Sequence, residues 1–133
     1  QSVGFKAAKE QFEKKNYQQV ITLLESQKSP DSQALALLGK SYFHLKQPKK
    51  AIPYFKKATQ LKPESAEAQY WLGMANFDIL RSDIPFNKKG YYAHQVRKTF
   101  KTALKLDSTH VEARKELARY YLNAPRIIGY TIV

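Results

Sequence analysis

Along residues 32–63 the apolar side chains recur at three- and four-residue steps. Leu35, Leu38 and Tyr42 fall on one face of a first helix, and Ala51, Phe55 and Ala58 fall on one face of a second. Gly39 lies beside the first stripe, where the missing side chain lets another helix come close. Pro48 stands at the entrance to the second helix, where proline is tolerated. Pro53 lies one turn further in and removes a backbone donor, but residues 49–53 are still expected to be helical. Two paired helices of this length bury one face each, so the hairpin keeps apolar surface that a neighbouring hairpin must cover.

The set Leu35, Leu38, Gly39, Tyr42, Ala51, Phe55, Ala58, Leu61 and the closing Pro63 resembles one unit of the tetratricopeptide repeat. The resemblance implies an all-α, right-handed solenoid of about three and a half repeats forming a single domain over 1–133. Copies are expected at about 1–30, 31–63 and 64–108, followed by a partial copy at 109–123 and a tail at 124–133.

The first copy is degraded. Asn16, Tyr17, Val20 and Leu24 repeat its turn and second helix, while Ala7, Ala8 and Gln11 stand where leucine, glycine and tyrosine are usual. Its helices are expected from Val3 to Lys14 and from Tyr17 to about Ser26. Ser29 and Pro30 read as the cap and first residue of the next helix. The third copy opens with Ser65 as a cap and carries Leu72, Gly73 and Phe77, then Val96, Phe100, Ala103 and Leu106. Gly73 and Phe100 are 27 positions apart against 16 for Gly39 and Phe55, which places eleven extra residues near 78–92. Pro85 and Gly90 predict a loop there. In the fourth copy Ala113, Leu117 and either Tyr120 or Tyr121 form the buried stripe. Pro125 and Gly129 are expected to stop the last helix, and YYLNAPRIIG loosely resembles a run in some bacterial repeat proteins. Ile127, Ile128, Tyr130, Ile132 and Val133 are expected to fold back as a cap or to seal self-association.

Composition fits a folded helical protein, with 43% hydrophobic and 13% aromatic residues, enough for a continuous core. Cysteine is absent, which excludes disulfides and thiolate chemistry. No apolar run is long enough to span a membrane. The chain begins Gln-Ser, so both a cytoplasmic setting and an exported one with a signal removed stay open. Twenty-three basic against eleven acidic residues give a formal charge of +12, which attracts acidic proteins, nucleic acid or anionic surfaces. The lysines are spread widely, as expected of solvated outer helix faces.

The search for chemistry finds none that assembles. His44, His94 and His110 lack metal-ligand spacing, no glycine loop cradles a phosphate, and no triad is oriented. The expectation is a non-catalytic protein with no cofactor and no metal. The resemblance implies that first helices line a concave groove that holds peptides or partner helices. Carried over repeat by repeat, its positions are Phe5, Lys9 and Phe12; Gln33, Ala36, Lys40 and Phe43; Tyr70, Met74 and Phe77; and Lys115, Arg119 and Leu122. The expected partner is a protein or peptide of acidic character. The insertion adds Phe86, Lys88, Lys89, Tyr91 and Tyr92 as a second contact. The alternative assignments are a basic module for nucleic acid or an anionic surface, which only FNKKGYYAHQVRK approaches, and a structural subunit that self-associates.

Overall fold

A computed structural model describes residues 3–128, the side chains of 125–128 excepted. The described residues form seven helices and no strand. They divide into two compact units, 1–63 and 64–133. The first holds α1 (Val3–Glu13), α2 (Tyr17–Leu24), α3 (Ser32–His44) and α4 (Pro48–Leu61). The second holds α5 (Ala66–Arg81), α6 (Phe86–Leu106) and α7 (Val111–Ile128). None of the described helices is long and apolar enough to cross a membrane.

In the first unit the two helix–turn–helix hairpins turn by the same device. At the end of α1, Lys15 has φ 64°, its N–H reaches Phe12 O, and Asn16 N–H reaches Gln11 O at 2.9 Å. At the end of α3, Lys46 has φ 63°, its N–H reaches Phe43 O, and Gln47 N–H reaches Tyr42 O at 2.9 Å. Both are Schellman caps with a lysine in the left-handed position that glycine usually takes. The cap of α3 differs from the sequence expectation. Asp31, rather than Ser29, is the N-cap, and its Oδ1 accepts the Ala34 N–H at 2.8 Å. Aspartate supplies a charged acceptor where the helix dipole is positive, which outweighs the Ser-Pro signal two residues earlier. Pro48 is the first residue of α4, and Pro53 lies inside that helix.

Gly39 of α3 faces Phe55 of α4 so closely that a Cβ on the glycine would sit 2.5 Å from the ring. Gly73 of α5 stands in the same relation to Phe100 of α6, with a Cβ only 2.6 Å from that ring. Both phenylalanines are fully buried. The alignment that places eleven extra residues between Gly73 and Phe100 is therefore the spatial one.

Those eleven residues do not form the expected loop. α5 is 16 residues long against 13 for α3, α6 is 21 against 14 for α4, and only residues 82–85 join them. The insertion adds about one turn to the first helix and two to the second. Pro85 precedes the first turn of α6, where its missing N–H costs nothing. Gly90 lies inside α6, where the stripe Ala93, Val96, Phe100 and Ala103 holds the helix despite glycine's low propensity.

In the second unit Phe77 meets Phe100 edge-on at 6.3 Å and Tyr120 at 6.0 Å. Such pairs add about 0.5–1.5 kcal/mol each beyond their buried area. Of the two candidate tyrosines, Tyr120 is the buried one, and its hydroxyl accepts from Arg97 Nη1 at 2.6 Å; Tyr121 is exposed. Pro125 does not end α7, which continues to Ile128. The expected fold-back or self-association of the tail falls on residues 129–133 and on the side chains of 125–128, which lie outside the described residues.

Candidate functional site

In the first unit the side chains of α1, α3 and the start of α2 gather round His44. Tyr17 stacks on the imidazole at 4.8 Å, Phe12 lies 5.8 Å away, and Phe43 meets it edge-on at 5.6 Å. Phe12 and Tyr17 also meet edge-on at 5.4 Å. All three neighbouring rings are half-buried. Burial holds the imidazole below the usual histidine range, and the cations Lys46, Lys40 and Lys15 push the same way. The ring is therefore a neutral aromatic surface at pH 7, and the charge of the site comes from lysines. Such an arrangement accepts an anionic group beside a large apolar one.

Of the residues expected on this face, Phe12, Lys40 and Phe43 are half-buried and Lys9 and Gln33 are exposed. Phe5 is buried and belongs to the core. His44 was dismissed in the sequence because histidine was sought as a ligand, whereas here it packs as a ring.

In the second unit Tyr70 of α5 is half-buried between α5 and α7. Its ring lies 5.0 Å from His110, 5.3 Å from Trp71 and 6.1 Å from Phe100. Burial pushes its hydroxyl up to about 12, aided by Glu116, Glu67 and Glu112 and opposed by Arg119. The phenol thus stays protonated and able to donate. Glu116 Oε1 lies 3.6 Å from Arg119 Nη1, and Oε2 is buried without a hydrogen-bond partner among the described residues. The charged neighbours of Tyr70 are mainly acidic, which the overall basic charge concealed.

Met74 is half-buried against the core of this unit, and Lys115 and Arg119 are exposed on α7. Phe77 is fully buried and is a core residue, not a groove contact. The stripe that carries Tyr70 and Met74 turns inward by Phe77, where α7 supplies Tyr120. Leu122 is 83% exposed.

At the start of α6 the inserted residues are presented by a helix rather than a loop. Phe86 is 70% exposed, Lys88 and Tyr91 are also exposed, and Lys89 is half-buried. Tyr92 is half-buried against the core of the unit and meets Tyr91 edge-on at 5.1 Å.

Residues 32–65 match the family model of the tetratricopeptide repeat. No curated protein matches the sequence. Eighteen solved chains resemble the structure. Among them is the crystal structure of YrrB, a TPR protein with an unusual peptide-binding site, with a TM-score of 0.73 at 20% identity over 92% of this chain. The chain spans 60% of the YrrB chain. At that identity the likeness shows the fold, an α-solenoid of helix–turn–helix repeats. Residues 32–65 thus match one tetratricopeptide repeat in sequence, and over most of its length the chain has the fold of a protein built from such repeats.

Proposed function

We propose that this protein is a non-catalytic adaptor that holds a peptide or partner helix on the faces of its first helices. The observation that carries this reading is the set of aromatic side chains left half-buried there, Phe12 and Phe43 in the first unit and Tyr70 in the second, while Phe5, Tyr42 and Phe77 of the same helices are buried. Half-buried rings flanked by charge suit anchors that lose their remaining water when a partner docks. The lysines round His44 favour an acidic neighbour, and the glutamates round Tyr70 favour a donor or cation. The peptide-binding site of YrrB supports the general class and does not specify the ligand here.

A second reading rests on Phe86, Lys88 and Tyr91, which α6 presents to solvent. An exposed aromatic pair beside a lysine suits nucleic acid or an anionic surface.

Both readings are tested by using the wild type, Tyr70→Ala and the Phe86→Ser/Tyr91→Ser pair as parallel baits, identifying captured proteins by mass spectrometry and measuring them by calorimetry. A partner lost with Tyr70→Ala and kept by the α6 variant supports the first reading. The reverse pattern, or tight salt-sensitive binding of a random oligonucleotide, overturns it.

A further inference from the structure

On the second-helix side of the first unit, α2 and α4 both pack on α3, but no Cα of α2 comes within 8 Å of a Cα of α4. The cause is length, since α2 has 8 residues and α4 has 14. After Leu24 the chain leaves the helix, so the later turns of α4 have no helical neighbour on this side. A crevice opens between them. One part, of about 420 Å³, has Leu24, Leu35 and Leu38 as its floor and Pro30 and Leu61 as its walls. A second part, of about 440 Å³, lies over Tyr42 and Pro53. Glu25, Tyr54 and Lys57 line both parts and so join them. Each volume is in the range of sites that take a defined ligand.

The lining has a definite chemistry. Lysines 28, 49, 50 and 57 stand at the opening, all exposed, and none is in an ion pair among the described residues. Glu25 is the single acid in either lining, and its Oε1 accepts the Tyr42 hydroxyl at 3.1 Å. The opening is thus strongly cationic over an apolar floor. Leu61 is 61% exposed at one end. The floor of the first part is aliphatic. The Tyr42 ring is buried and stacked on Tyr54 at 5.6 Å, which leaves little aromatic face for a nucleobase.

We propose that this crevice is a second docking site, which takes an acidic peptide segment of a partner protein and seats one large apolar side chain over Leu35 and Leu38, with the segment's carboxylates among the four lysines. None of Phe12, Lys40, Phe43 and Tyr70 lines it, so it does not rest on the assignment of the first-helix faces.

The test uses the full chain, labelled with ¹⁵N, titrated with a terminally blocked octapeptide of glutamates around one central leucine. Amide shifts are expected at Leu35, Tyr54, Lys57 and Leu61 and not at Lys40, Phe43 or Tyr70. The double exchange Lys28→Glu with Lys57→Glu, both at exposed positions, weakens the octapeptide by about tenfold, while Lys40→Glu leaves it unchanged. A glycine in place of the leucine weakens it as well. Absence of shifts, shifts on the first-helix face, or wild-type affinity in the double variant overturns the proposal. So does equal occupancy of the crevice by dodecanoate or by an oligothymidylate, which would make it a site for another class of anion.

Discussion

Glu67 and His110 are 43 residues apart in sequence, yet Nε2 of the histidine lies 3.0 Å from Oε1 of the glutamate. The other ring nitrogen, Nδ1, accepts the Ala113 N–H at 3.1 Å. With Nδ1 an acceptor, the proton sits on Nε2, which donates to Glu67. One imidazole therefore caps α7 and ties its start to the first turn of α5.

Replacing His110 by alanine removes both bonds and is expected to lower the unfolding free energy by about 1–2 kcal/mol. Asparagine, a good N-cap, should restore most of that loss even though it does not reach Glu67. Urea denaturation of both variants measures the split. Equal losses would show that the tie to Glu67, not the cap, is what counts.

Gly39→Ala puts a methyl against the buried Phe55 ring, which has no room to withdraw. A cost of about 1–3 kcal/mol is expected. The double variant with Phe55→Leu should lose less than the two single changes together, because the smaller side chain relieves the collision. Strict additivity in chemical denaturation would refute the contact.

Gly90→Ala should act in the opposite direction. A Cβ there meets nothing within 4 Å, and the residue lies inside α6 with no left-handed backbone. Stability is expected to rise by about 0.5–1 kcal/mol. A loss would restore the loop that the sequence suggested.

The Tyr42 hydroxyl is pushed up to about 12, first by burial and then by Glu25. A group whose folded pKa lies above its unfolded value near 10 contributes stability that is whole below pH 10 and is lost as the pH rises toward 12. Tyr70 behaves alike. Wild-type protein should thus lose stability faster than Tyr42→Phe between those limits, as read by melting curves at stepped pH. Parallel slopes would remove Tyr42 from the alkaline transition.

At the first-helix faces, Tyr70→Ala should weaken partner binding by about 1–3 kcal/mol with helical content unchanged. Lys40→Glu should act on association rate and salt dependence instead. Stopped-flow kinetics and calorimetry with the captured partner separate the two effects.

The repeat frame was legible because it depends on spacing within short windows. Gly39 was expected to admit a neighbouring helix, and the matching positions of Gly39 and Phe55 and of Gly73 and Phe100 sized the insertion; the structure adds that each glycine faces its phenylalanine. The insertion was misread because Pro85 and Gly90 are local signals, and the deciding term was the buried stripe from Ala93 to Ala103 further along the same helix. Pro125 misled too, since α7 continues to Ile128. Phe77 and Tyr70 share a helix and a plausible face, and only the position of Tyr120 tells which is covered. His110 was invisible as a cap, since histidine is not among the usual capping residues and its second partner lies in a distant helix.

The close approach of each glycine to its phenylalanine also constrains how such a chain can change over generations. A methyl on the glycine collides with the ring, and a smaller side chain in place of the ring leaves a void, so each single step is penalised and the joint exchange costs less than the two together. The two letters are inherited as one word. Because the word is spelled across the gap between helices and not along the chain, both hairpins keep it although eleven residues separate their lengths. The ends of a hairpin are thus open to growth and experiment while its middle is held to a fixed text.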